Sequence, residues 1–204
     1  MTFFRNIIRS DLRAADEYQN RRGIILSNYI SIILCIAVVL LYLNRLFFYD
    51  FNMLDALLLG VPVLITPILY NRLHYTLLSR LLLCIAPVLL IWHIFIIQMR
   101  EMESIDQSTY DGLRIFLLSV CFIPYLVFDK NKLPILIAGI LPTLLSFLLF
   151  TAILKLVGLS AGPAGFVSTD HQLMSVRTFI AYIVISLSCF IFQSIINRND
   201  LFNK

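Results

Sequence analysis

Arg114 and Arg177 stand in or beside apolar stretches of the chain, at the same depth as Asp55, His93, Tyr110 and Asp111. An ionisable side chain inside a hydrocarbon-spanning segment is costly enough to be a functional candidate until a partner explains it. Two guanidiniums facing one space would hold a carboxylate or another anion through paired N–H donors. Tyr110 and Arg114 at i, i+4 share one helical face, while Asp111 and Arg114 at i, i+3 are spaced to neutralise each other. The expectation is a crevice open to the outside, lined by Asp55, His93, Tyr110, Asp111, Arg114 and Arg177 and suited to a small anionic ligand. The competing account is that these groups pair among themselves or snorkel to water.

Other chemistry is not encoded. His93 beside Trp92 reads as an interfacial aromatic pair, and His74 and His171 fall at opposite ends of the spans, so no two histidines converge on one iron. Cys35, Cys84, Cys121 and Cys189 all lie within apolar segments without metal-ligand spacing, where a thiol behaves as a small apolar side chain. HExxH, GxSxG and Walker patterns do not occur. No catalytic residue, metal or cofactor is expected.

The elements that must position these residues are six apolar segments, roughly Ile24 to Leu43, Met53 to Tyr70, Leu77 to Ile97, Tyr110 to Phe128, Leu133 to Leu154 and Met174 to Ile196. Each approaches the length that crosses about 30 Å of hydrocarbon at about 1.5 Å per residue. Lys and Arg alternate between their two sides: eleven of the 16 fall before the first segment, in the second and fourth loops and in the C-terminal tail. The remaining five are Arg45, Arg100, Arg114, Lys155 and Arg177. This bias places both termini in the cytoplasm and the chain in the cytoplasmic (inner) membrane as a multi-pass protein. The fold class is therefore an all-α membrane protein, a bundle of six transmembrane helices.

With 60% apolar and 14% charged residues, the 204-residue chain holds one membrane bundle and no soluble catalytic domain. Its net charge of +4 is accounted for by anchoring beside anionic lipid, so nucleic acid is not an expected partner. Residues 1–23 carry Phe4, Ile8 and Leu12 in one stripe and Arg5, Arg9 and Arg13 in another, the pattern of a short amphipathic helix at the cytoplasmic interface. No small-residue cleavage site follows, so the first span is expected to stay. Residues 24–196 form the membrane domain.

Pro62, Pro67, Pro87, Pro124, Pro134 and Pro142 lie in or at the ends of spans, where each removes a backbone donor. Asp129 to Lys132 reads as a tight turn joining the fourth and fifth spans as a hairpin. The fifth loop, from Gly158 through Gly162, Pro163 and Gly165 to His171, reads as mobile and solvent-exposed. After the last span neither Pro nor Gly stops the helix, so residues 197–204 are expected to begin a cytoplasmic output helix. Phe192, Ile195, Asn199 and Phe202 follow the 3,4,3 spacing of a two-helix seam and predict a homodimer.

The features occur in a telling order. A short basic N-terminal helix precedes Arg21-Arg22-Gly23-Ile24-Ile25-Leu26-Ser27-Asn28, and a fourth span opens on Tyr110-Asp111-Gly112-Leu113-Arg114 and closes on Pro124-Tyr125-Leu126-Val127-Phe128-Asp129. A polar helix leaves the sixth span. The layout resembles the six-helix membrane region that precedes the cytoplasmic output domains of bacterial sensor histidine kinases and some class III nucleotide cyclases. The resemblance implies an input module that dimerises and passes a signal through its last helix to a cytoplasmic signalling domain or separate partner. No site residue carries over, because neither the kinase phosphoacceptor region nor the cyclase metal carboxylates are in this sequence. The alternative is a small transporter or channel, suggested by Gly60-Val61-Pro62 and Gly139-Ile140-Leu141-Pro142 in spans that an inverted repeat would pair.

Overall fold

Where water is excluded, backbone N–H and C=O groups must find partners within their own segment, and apolar runs of this length resolve into helices. The computed structural model describes residues 18–48, 58–101, 107–129, 132–159 and 168–202, and these are helical with no strand. The helices are α1 (Tyr18–Phe48), α2 (Gly60–Arg72), α3 (Thr76–Glu101), α4 (Gln107–Val120), α5 (Ile123–Val127), α6 (Leu133–Leu148), α7 (Phe150–Leu156) and α8 (Ser168–Phe202). Four stretches are long and apolar enough to cross a membrane: Arg22–Asn44, Thr76–Arg100, Gln107–Val127 across α4 and α5, and Met174–Gln193. The bent pair α6 and α7 makes a fifth if it counts as one span. Large apolar side chains such as Ile33, Leu40, Leu89, Ile115 and Leu187 point outward, as a multi-pass membrane protein requires. The amphipathic helix expected over 1–23 lies mostly outside the described residues.

Below, proximal means the end of the bundle where α1 begins, and distal the opposite end. α1 and α2 run antiparallel, since Asn71 near the end of α2 meets Ser27 and Asn28 near the start of α1. The other end of α2 reaches only to the level of Cys35, whose thiol lies 3.9 Å from the Val61 carbonyl. At about 1.5 Å per residue the thirteen residues of α2 cover about 20 Å, less than a full crossing.

α2 ends in a Schellman cap. The Tyr75 N–H donates to the Tyr70 carbonyl at 2.9 Å and the His74 N–H to the Asn71 carbonyl at 3.1 Å, with His74 at φ 65°. The rings of Tyr70 and Tyr75 meet edge to face at 6.3 Å and close the hydrophobic contact of that motif. The turn delivers Ser79 and Arg80 of α3 against α1.

The span expected from Leu133 to Leu154 is not straight, for α6 and α7 meet at 67° about Leu149. Neither Pro nor Gly stands at the break. Instead Thr143 and Ser146 return their hydroxyls to the carbonyls of Ile140 and Pro142 at 2.9 and 2.8 Å, a back-bonding that bends helices. Trp92 of α3 donates its indole N–H to the same Ser146 hydroxyl at 3.1 Å and packs on Phe150 with ring centroids 5.5 Å apart, fixing the bend from both sides.

A second correction concerns Ser168 to His171, read from sequence as loop. They form the first turn of α8, where Ser, Thr and Asp are favoured because they complement the unpaired N–H groups of a helix start. α8 then runs unbroken past the end of its apolar segment at Gln193 to Phe202. It lies at the edge of the bundle: 6% of its span is buried, against 56% of the α4–α5 span.

Candidate functional site

At the distal end, α7 closes on a second Schellman cap. Gly158, at φ 77°, adopts the left-handed conformation that side chains resist, and the Leu159 N–H donates to the Leu154 carbonyl at 2.8 Å. This cap aims the Leu159 carbonyl at α4, where the fully buried Tyr110 donates its hydroxyl at 3.1 Å. One turn along α4, Arg114 is 2% exposed. Its Nη1 meets Asp111 Oδ1 at 2.8 Å, its Nη2 donates to Ser175 Oγ of α8 at 2.8 Å, and its guanidinium lies 4.7 Å over the Phe150 ring. Gln107 also donates to Asp111 Oδ1, at 3.3 Å. Tyr110, Asp111 and Arg114 are thus brought together, and they are engaged with α7 and α8.

The other members of the expected crevice do not join them. His93 is exposed on α3 although its neighbour Trp92 is buried. Arg177 is exposed too, with Nη1 3.9 Å from Met174 Sδ. Two residues make about 200° of helical turn, so a helix that turns Ser175 toward Arg114 turns Arg177 away. Asp55 lies outside the described residues. Phe192 is exposed on α8, and Ile195, Asn199 and Phe202 follow it on continuous helical backbone.

The proximal end holds a cluster that the charge pattern did not reveal. Ser27, Asn28, Ser31, Asn71 and Ser79 are fully buried and Arg80 nearly so, on α1, α2 and α3. Asn71 Nδ2 donates to Ser27 Oγ at 3.2 Å and to Asn28 Oδ1 at 2.6 Å, and Ser79 donates to the Pro67 carbonyl at 2.7 Å. Because the Ser79 proton is committed there, the 3.4 Å contact between Ser27 and Ser79 has Ser27 as donor. Below it Arg80 packs on Gly23: a Cβ at that glycine would stand 2.9 Å from Arg80 Cζ, Arg80 Nη1 and the Val127 carbonyl oxygen. The next carbonyl, that of Phe128, accepts from Gln193 Nε2 of α8.

Among the described residues, the polar side chains of α8 that face the bundle fall on one stripe. Ser175, Tyr182, Ser186 and Gln193 repeat at 7, 4 and 7 residues, which keeps them within about 40° on the helix surface. Tyr182 and Phe179 carry the stripe's aromatic rings, and Tyr182 packs on Phe147 of α6 at 5.0 Å. Val176, Ile180, Val184, Leu187 and Ile191 face outward. The signal was present in the sequence as polar residues spaced 7, 4 and 7 apart within an apolar segment.

Among the described residues no group of three His, Cys, Asp or Glu is placed to hold a metal ion. The arrangement can pin α8 at two ends and offers no acid–base pair. No family model, curated protein or solved structure matches the chain.

Proposed function

We propose that the chain is a sensory or regulatory module of a cytoplasmic membrane, which detects an extracytoplasmic or membrane-borne signal and relays it through α8. In this reading the six apolar segments cross the membrane, with α2 supplying only part of the second, both termini are cytoplasmic, and Phe192, Ile195, Asn199 and Phe202 pair α8 with a second copy. The output is a cytoplasmic signalling domain such as a histidine kinase or nucleotide cyclase, in the same protein or a partner. The observation that carries the reading is the attachment of α8, an unbroken 35-residue helix latched through Ser175 to Arg114 distally and through Gln193 to Phe128 proximally. Interhelical hydrogen bonds in membranes average about 0.6 kcal/mol, so such a helix changes position cheaply.

The test continues α8 in register beyond Phe202 into the catalytic part of a nucleotide cyclase. Arg114→Ala or Gln193→Leu is expected to shift cyclase output severalfold at equal protein level. Output indifferent to both latches would remove the relay.

A transporter or channel is the second reading, favoured by the 67° break at Leu149, since broken helices line transport sites. It predicts ion or proton flux into proteoliposomes above protein-free vesicles, whereas the relay predicts none.

A further inference from the structure

We infer that the turn between α2 and α3 binds the phosphate headgroup of an anionic phospholipid in the proximal leaflet, a ligand whose signalling role rests on the relay reading. Thr76 opens the α3 span, so Arg72 to Tyr75 stand just outside it, at the depth of lipid headgroups. All four are exposed, Leu73 and Tyr75 by 62% and 61%. Basic and apolar side chains thus alternate on a surface that meets both water and acyl chains. The hairpin carries no Asp or Glu from Leu58 to Arg100, so no carboxylate of its own neutralises Arg72.

The backbone prepares this surface. The Tyr75 N–H bond to the Tyr70 carbonyl and the edge-to-face contact of their rings fix the turn before any ligand arrives. His74 stands at φ 65°, a conformation that glycine fills without strain, so the chain keeps an imidazole there at a cost in stability. Strained residues of this kind concentrate where a side chain meets a ligand. The guanidinium fork of Arg72 matches two phosphate oxygens, and an imidazole N–H adds a further donor. Leu73 and Tyr75 supply apolar surface that suits the upper acyl chains of a lipid and that a free phosphate would leave unused.

The turn also reaches the proximal latch of α8. Ser79, at the start of α3, donates to the Pro67 carbonyl and ties α2 to α3 across the turn. Next to it, Arg80 Nη1 and the Val127 carbonyl oxygen each lie 2.9 Å from one point, the Cβ position of Gly23, and so stand within twice that distance of each other. The following carbonyl, that of Phe128, holds Gln193. A headgroup that draws on the turn therefore acts on the strut beneath the latch.

The experiment uses the full chain in phosphatidylcholine nanodiscs doped with a photoreactive phosphatidylglycerol or with the matching photoreactive phosphatidylcholine, each with its diazirine near the glycerol. Adducts are mapped by mass spectrometry. The anionic probe is expected to label the turn about fivefold above the neutral one, the ratio that one basic side chain beside anionic lipid is worth. In Arg72→Gln/His74→Gly it should fall to the neutral level, while the melting temperature in detergent stays equal or rises, because glycine relieves the left-handed strain. Lys132→Gln, an exposed cation at the same end of the bundle, should leave labelling of the turn unchanged. Equal labelling by both lipids, labelling unchanged in the double variant, or an equal loss in Lys132→Gln would overturn the site. Displacement by millimolar glycerol 3-phosphate would overturn it too, by making the ligand a soluble phosphate, and so would a melting temperature lowered by several degrees. Labelling needs no output domain, so its failure leaves the relay to the Arg114 and Gln193 test. If the turn is labelled, a cyclase fusion whose output does not differ between anionic and neutral nanodiscs removes the signalling role alone.

Discussion

Arg114 holds Asp111 with one terminal nitrogen and Ser175 with the other, each at 2.8 Å, so the ion pair of α4 and the distal latch of α8 are a single object. The planar fork of guanidinium nitrogens makes this possible, and the Phe150 ring beneath it sets the plane.

Substitution at this point should follow the geometry. Arg114→Lys keeps the charge but cannot serve both partners, and Arg114→Ala leaves Asp111 uncompensated. The alanine variant should lose stability toward the lower end of the roughly 3–5 kcal/mol typical of a broken buried pair, because Asp111 keeps access to water. Ser175→Ala should cost about 1 kcal/mol. Thermal unfolding in detergent should rank them wild type, Ser175→Ala, Arg114→Lys, Arg114→Ala; a lysine variant as stable as wild type would contradict the shared latch.

Gly23 is required by close approach. Gly23→Ala should cost about 1–3 kcal/mol, since the new methyl meets both a side chain and the Val127 carbonyl. Arg80→Ala in the same chain should fail to restore stability, because the carbonyl remains. Full recovery in that double variant, read by chemical denaturation, would show that the guanidinium alone was the obstacle.

The two Schellman caps predict opposite signs. His74 occupies a left-handed position that costs an ordinary residue about 1–2 kcal/mol, so His74→Gly should stabilise by about 1 kcal/mol. Gly158→Ala should destabilise by a similar amount although its surroundings are open. Melting temperatures of the two variants on either side of wild type would meet the expectation.

Asn28 and Asn71 form the centre of the proximal cluster. A double-mutant cycle with alanine at both should give a coupling between about 0.6 and 1.7 kcal/mol, the range of interhelical hydrogen bonds in membranes. A coupling near zero would mean that each amide is satisfied without the other.

Much of this was legible in the chain. Apolar runs marked the helices, the i, i+3 spacing of Asp111 and Arg114 anticipated their pairing, and Pro134 marked the start of α6, just inside its first turn. Helical phase was not legible: without knowing which face of α8 meets α4, charge alone pointed to Arg177, and nothing in the sequence singled out Ser175. The proximal cluster escaped because Asn71 lies 43 and 44 residues from Asn28 and Ser27, and each looked like a tolerated polar residue in its own helix. The bend at Leu149 escaped because it arises from hydroxyls and an indole rather than from Pro or Gly.

Sidedness has its own check. In a chain with Cys35, Cys84, Cys121 and Cys189 replaced, a cysteine at the distal, exposed Leu156 should react with an impermeant thiol reagent added to intact cells, and one at the proximal His74 should not. The reverse pattern would invert the charge-based orientation.

The most direct measurement of the central claim, that α8 is a latched and movable rod, is the distance distribution between spin labels at Leu126 and Phe192 in the same cysteine-free background in bilayers. Both positions are exposed, Leu126 at the proximal end of α5 and Phe192 at the proximal end of the apolar span of α8. With both latches intact the distribution should be single and narrow; in Ser175→Ala/Gln193→Leu it should broaden or move by about 5 Å, one helical turn. A distribution unchanged by the loss of both latches would contradict the account.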